Sequence, residues 1–238
     1  TSLTIPSTVT ELKDYTFYNC DSITSVTIPA TVEAVGNQTF KNSSNITSVT
    51  VNSTADLDKA YLCFTDGNND MYKVVGTNTV VLTPSNKTYS GDFVLSASVT
   101  AGTTFSVIGF DDSMFSGNTT LTSVAMHSGT LRIGEEAFKN CSNVFIINIP
   151  DGVSDIGKHA FDNILIINYN GEPPVDTGTY GKFWGALYMN PYVENLMYYE
   201  TSGKLNLIYN TNPSLTLFAI PNTVTTVGKY AFRGCTGL

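Results

Sequence analysis

The chain has 238 residues and a formal net charge of -8, with 42% hydrophobic and only 13% charged residues. That is enough apolar material for a continuous core, yet no run approaches the roughly 18 apolar residues a membrane-spanning helix requires, so direct membrane insertion is not expected. With few Lys and Arg and an acidic balance, a phosphate backbone is repelled, and no nucleic-acid partner is expected.

The first residues, TSLTIPSTVT, hold neither a basic nor an apolar targeting segment. From Leu3 the chain enters a repeat: Ile5, Pro6, Val9, Phe17 and Ile23 recur as Ile28, Pro29, Val32, Phe40 and Ile46, each offset by 23 residues. In the second copy, SVTIPATVEAVGNQTFKNSSNI, Val26 and Ile28 point to one side of a short strand and Ser25 and Thr27 to the other. Pro29 ends that strand because it has no N–H to give to a ladder. Val32 and Val35 return to the core, and Gly36 is expected to supply a turn with positive φ. The segments NQTF, EEAF, KHAF and KYAF read as single helical or 3-10 turns that each drop one Phe inward. One such unit cannot bury its own apolar edge, so the units are predicted to stack into a solenoid.

Residues 1–52 form regular repeats, and residues 53–104 read as diverged, hairpin-bearing coils with the turn signals DGNND, GTN and PSN between β-rich runs. Regular repeats resume over 105–170, where Phe115, Phe138 and Phe161 follow one another at the same offset. Residues 171–212 form an aromatic insertion in which NLMYY and LNLIY flank TSGK, the pattern of a β-hairpin. Residues 213–238 hold a last repeat, IPNTVTTVGKYAFRGCTGL, and with no polar cap at either end the array is expected to continue beyond the sequence. The whole is read as one solenoid.

These motifs resemble the BspA-like leucine-rich repeat family, whose unit reads approximately LxxIxIPxxVxxIGxxAFxxC and whose copies here cover somewhat over half of the chain. The resemblance implies a leucine-rich repeat solenoid, a right-handed superhelix of short strands with brief helical or 3-10 turns and repeats of about 23 residues. It also implies an extracellular or cell-surface protein that binds host proteins or neighbouring cells.

The residues themselves offer no catalytic constellation. His127 and His159 stand in no metal-ligand spacing, and there is no GxSxG elbow or phosphate-cradling glycine loop, so neither enzymatic activity nor a cofactor is expected. Cys20, Cys141 and Cys235 each lie three residues after a repeat Phe, a slot for a small buried side chain. Neighbouring copies carry Ser43 and Asn118 there, and a gap of two coils, each about 4.8 Å, exceeds the roughly 7 Å a disulfide allows, so free thiols are predicted. Cys63 is expected to be buried as well. Asp66, Asn68 and Asp70 sit at the first positions of a calcium loop, but Met71 and Thr77 replace its Gly and Glu, so a solvated turn is expected and no metal. The acidic pairs Asp111 and Asp112, and Glu135 and Glu136, read as repeated surface turns. Asn37, Asn42, Asn45, Asn52, Asn86 and Asn118 open N-x-[ST] triplets, as chance allows in a sequence this rich in Asn, Ser and Thr.

What remains is a binding scaffold. The solvent side of the strands, Ser25, Thr27, Ser48, Thr50, Ser123, Ala125, Ile146, Asn148, Leu217 and Ala219, is the candidate face for a protein ligand. The aromatic insertion, with Tyr180, Phe183, Trp184 and Tyr188, is the candidate face for a glycan, set against simple packing of the insertion. A passive spacer or stalk within a longer surface protein is the alternative.

Overall fold

Alternation of Val or Ile with Ser or Thr builds the first sheet. In the computed structural model, which describes residues 1–144, 146–162, 164, 166–169, 187–190, 196–201, 204–210 and 224–227, the chain divides into two compact units. The first comprises Thr1–Lys87 with Ser96–Asp111, and the second Thr88–Leu95 with Asp112–Leu238.

In the first unit, strands Ser2–Thr4, Ser25–Ile28 and Ser48–Val51 lie parallel and in register, so Leu3, Val26 and Val49 are neighbours across the ladder. Val26, Ile28, Val49 and Val51 are buried, while the Ser and Thr between them are half-buried. After the first two strands the Val9 amide donates to the Pro6 carbonyl and the Val32 amide to the Pro29 carbonyl, which turns the chain onto a second face. There Glu11–Leu12 pairs in parallel with Ala34–Val35.

The third face carries the Phe, and it is made of consecutive β-turns. Helix in the described residues is confined to one 3-10 turn, Asp58–Ala60. Along 15–19 the amides alternate in direction: those of Thr16 and Tyr18 close turns onto Lys13 and Tyr15, while those of Tyr15, Phe17 and Asn19 donate to Asn37, Thr39 and Lys41 of the next coil. Such alternation requires left-handed backbone at every fourth residue, which is found at Tyr15 and Asn19 and again at Gln38 and Asn42. A helix would have sent all these amides along its own axis. Gly36 is not among the positive-φ residues, contrary to the expectation for it. It is required for a different reason: a Cβ there would stand 2.3 Å from the backbone nitrogen of Asp14 in the preceding coil.

The irregular stretch of this unit is a meander. Cys63–Thr65 and Met71–Gly76 pair antiparallel on either side of the DGNND turn, Met71–Gly76 pairs antiparallel with Thr79–Leu82, and Thr79–Leu82 runs parallel to Thr103–Phe110. Phe64 packs against Tyr72 and Phe105 with ring centroids 5.9 and 5.5 Å apart. Ser98–Ala101 folds back antiparallel on Thr103–Phe110, and Gly102 between them bridges to Val49.

The second unit repeats the coil. Gly91–Val94 pairs in parallel with Leu121–Ala125, Arg132–Ile133 with Asp155–Ile156, and Ile146–Ile149 with Ile166–Tyr169. Leu187–Asn190 extends the last of these, followed by the antiparallel strands Leu196–Thr201 and Lys204–Asn210 and the parallel strand Val224–Val227. Phe115, Phe138 and Phe161 form a column with centroids 5.5 and 5.9 Å apart, the last pair parallel to within 1°. Gly157 repeats the role of Gly36, its absent Cβ 2.2 Å from the nitrogen of Glu135.

Candidate binding faces

Parallel pairing in register turns the repeat into rows of identical side chains. Ser2, Ser25 and Ser48 form one row and Thr4, Thr27 and Thr50 another, with neighbours in a row about 4.8 Å apart. The face is uncharged along these rows and presents hydroxyl groups that can both donate and accept. Ser25, Thr27, Ser48 and Thr50 are half-buried, and the turn at Gly102 lies against one edge of the face. There Thr103 Oγ1 donates to Thr50 Oγ1 at 3.4 Å, and a Cβ on Gly102 would meet the Ser48 hydroxyl.

In the second unit Ala125 is exposed and Ser123 half-buried. The register shifts between Leu121 and Ser123, which brings the hydroxyls of Thr122 and Ser123 together on Asp92 Oδ1, at 2.8 and 2.7 Å. These two donors hold the Asp92 carboxyl below its ordinary value. Asn148 is exposed on Ile146–Ile149. Ile146 lies on that strand and Tyr188 on Leu187–Asn190, where the backbone alone is described. Leu217, Ala219, Tyr180, Phe183, Trp184 and Cys235 lie outside the described residues.

Several of the described groups capable of chemistry are engaged structurally. Cys20, Cys63 and Cys141 are free thiols. Cys141 is fully buried and its Sγ donates to the Phe115 carbonyl at 3.0 Å, the role Ser43 Oγ plays toward Phe17 at 2.8 Å. The Cys slot is therefore a donor site between coils as well as a small buried position. Cys20 is half-buried, less enclosed than expected, whereas Cys63 is half-buried as a residue but its thiol is enclosed, as expected. Burial pushes the thiols of Cys63 and Cys141 up to about 12, the reverse of what a nucleophile needs. His159 is half-buried, and its Nδ1 lies 2.8 Å from Asp162 Oδ2; burial raises the Asp162 carboxyl, with His159 opposing. The Asp66 carboxylate accepts the amides of Asn68 and Asp70 at 2.9 and 2.8 Å, so the DGNND turn uses its own acid as a backbone partner.

One acidic residue departs from its expected place. Asp112 does sit in a turn, where its carboxylate accepts the Glu135 amide, but Asp111 is buried at 6% exposure. Its Oδ1 lies 2.6 Å from Lys73 Nζ, and its Oδ2 accepts the Thr83 hydroxyl at 2.7 Å. Lys73 also lies 2.9 Å from Asp58. Nothing in the repeat pattern marks this cluster, because Lys73 and Asp58 lie in the irregular stretch.

Against sequence profiles, six copies of the BspA type Leucine rich repeat region match over residues 1–75, 97–184 and 204–238. The chain belongs to the BspA-type leucine-rich repeat family. Among solved structures it is similar to a leucine rich cell surface protein from Faecalibacterium prausnitzii A2-165, at 24% identity and a TM-score of 0.28 over 97% of this chain and 51% of that one. A leucine-rich repeat protein from Eubacterium ventriosum ATCC 27560 is 19% identical with a TM-score of 0.40, over 97% of this chain and 63% of that one. The T. pallidum leucine rich repeat protein is 14% identical with a TM-score of 0.32, over 97% and 72%. This BspA-type chain thus spans about half the length of the F. prausnitzii protein. No curated protein sequence matches it. Among the described residues, no helix is long and apolar enough to cross a membrane.

Proposed function

We propose that the chain is a non-catalytic binding scaffold, displayed at a cell surface or secreted, that adheres to host proteins or neighbouring cells through its strand face. The observation that carries this reading is the pair of in-register hydroxyl rows, Ser2, Ser25 and Ser48 beside Thr4, Thr27 and Thr50. A repeat scaffold offers such rows over several coils, so many weak polar contacts add along one partner. Family membership and the cell-surface designation of the F. prausnitzii protein support the location.

The test is surface plasmon resonance of the purified chain against a panel of extracellular-matrix and cell-surface proteins, repeated with Ser25→Lys, Thr27→Lys and Asn148→Lys. Saturable binding that weakens at least about tenfold in a Lys variant, a loss of about 1.4 kcal/mol, is expected. Undiminished binding in all three variants overturns the strand-face reading. No saturable binding to any protein of the panel favours a passive spacer instead.

A further inference from the structure

Three of the large hydrophobic side chains left exposed among the described residues come together on the turn face of the first unit. Tyr15 is 53% exposed, Tyr18 38% and Tyr61 40%. The turns bring them side by side: the Asn19 amide donates to Lys41 of the next coil, and the Gln38 amide to Lys59 of the coil after that. Tyr15 and Tyr18 meet edge to face with ring centroids 5.7 Å apart, Asn42 Nδ2 donates to the Tyr18 hydroxyl oxygen at 3.1 Å, and Lys41 Nζ lies 5.2 Å from the centre of the Tyr61 ring. The cluster thus crosses two coil steps, roughly 10 Å. Packing does not account for it. An aromatic side chain gains by leaving water, and these three stay in it. Tyr15 and Tyr61 also hold left-handed backbone, at φ 60° and 55°, where Gly or Asn would cost less than Tyr. The Tyr61 ring has one structural use, since it also lies 5.5 Å from the buried Lys73 ammonium. The contacts of the Tyr15 and Tyr18 rings are with each other and with Asn42.

We propose that Tyr15 and Tyr18, with Lys41, Asn42 and Tyr61, form a second binding face whose ligand is a neutral pyranose oligosaccharide. A pyranose ring has a face of C–H groups, which prefers the electron-rich face of an aromatic ring to water, and a rim of hydroxyls that need donors and acceptors beside it. This cluster offers both. The Tyr15 and Tyr18 rings stand at 75° to each other, so a sugar stacked on one meets the edge of the other. The Tyr18 hydroxyl, having accepted from Asn42, keeps its O–H to donate, and Asn42 keeps its carbonyl oxygen to accept. Charge selects a neutral ligand. The Lys41 ammonium already faces the Tyr61 ring and repels a cation, while the exposed acids Asp14 and Asp21 on the same coil, in a chain of net charge -8, disfavour an acidic sugar. A protein partner of ordinary size covers about 800 Å² around an apolar centre sealed from water, whereas polar groups interleave with these rings across two coil steps. The face is built from turns and is independent of the strand-face reading.

Binding of the purified chain to a printed array of neutral hexaoses of the cello, laminari, malto, manno, xylo and chito series tests this, with isothermal titration calorimetry on the hexaose that binds. Saturable binding of at least one hexaose is expected, weakened at least about tenfold in Tyr18→Ala and in Tyr15→Asn, a replacement that left-handed backbone accepts. Tyr18→Phe should keep more of the affinity than Tyr18→Ala because the ring remains, and Thr27→Lys, on the strand face, should keep all of it. The side chains removed are exposed, so the circular dichroism of each variant should match that of the wild type. A wild-type chain that binds none of the hexaoses overturns the proposal, whether or not any variant folds, and so does binding confined to hyaluronan oligosaccharides on the same array. Hexaose binding unchanged in both Tyr15→Asn and Tyr18→Ala overturns it too, and its loss in Trp184→Ala alone assigns the sugar to the aromatic insertion instead. A protein ligand lost in Tyr18→Ala, with no hexaose bound, overturns the ligand class.

Discussion

Tyr15, Gln38, Ser113, Glu136 and His159 each stand two residues before a repeat Phe, and each holds left-handed backbone, with φ between 52° and 60°. None is Gly, and a side chain costs about 1–2 kcal/mol in that conformation. The cost is accepted because it turns alternate amides toward the next coil, and amides left unpaired in the stack would cost at least as much. Gln38 separates the two effects, since its side chain is only half-buried. Gln38→Val should destabilise the chain by about 1–2 kcal/mol in urea unfolding, because a β-branched residue resists left-handed backbone, whereas Gln38→Gly should be close to neutral. If Val and Gly behave alike, the left-handed turn is not where the strain lies. This feature was hidden in the sequence because no residue type marks it: Tyr, Gln, Ser, Glu and His share only their distance from Phe. Asp111 was hidden for another reason. Its partners Lys73 and Asp58 lie in the irregular stretch, where the offset of 23 gives no register from which to pair them.

At the scale of one coil, the side chains that face the core were legible, because an apolar residue at a fixed offset can repeat for no other economical reason. Val26 and Ile28, with Phe40, Phe138 and Phe161, are all fully or nearly fully buried as their periodicity predicts. Glycine was legible as a position but not as a cause. A Gly that permits positive φ and a Gly that permits close backbone approach look the same in sequence, and the Gly36 slot is the second kind. The two causes predict different substitutions. Gly157→Ala sets a Cβ 2.2 Å from the Glu135 nitrogen and 2.5 Å from its Cα, both of which belong to a hydrogen-bonded coil that cannot move away. It should cost about 1–3 kcal/mol by overpacking. Gly67→Ala meets nothing within 4 Å and should change stability by under about 0.5 kcal/mol. Equal shifts in denaturation midpoint would mean that the coils are not in close backbone contact at Gly157. The hydroxyl rows were likewise legible as alternation, but their half-burial was not. The Gly102 turn that lies beside them arrives from about 50 residues away, and nothing local announces it.

At the scale of the molecule, stability in a stack is a sum of coil terms and nearest-neighbour terms, so the reach of any one substitution is limited to the coils that flank it. The Phe column of the second unit makes this measurable. Phe138 is fully buried between Phe115 and Phe161 and should cost about 3–5 kcal/mol as Ala. Phe115 and Phe138 share a contact, as do Phe138 and Phe161, and each pair should show a coupling of at least about 0.5 kcal/mol in a double-mutant cycle. Phe115 and Phe161 stand two coils apart, roughly 10 Å at the spacing of stacked strands, and their effects should add to within about 0.5 kcal/mol. Strong coupling between Phe115 and Phe161 would mean that the unit responds as one cooperative core, in which a cavity in any coil is relaxed by all the others. Additivity at two coils with coupling at one would instead allow each coil to change its solvent face independently of the next. Divergent Ser, Thr, Asp and Asn positions on the strand face could then vary while the Phe column beneath them stays fixed.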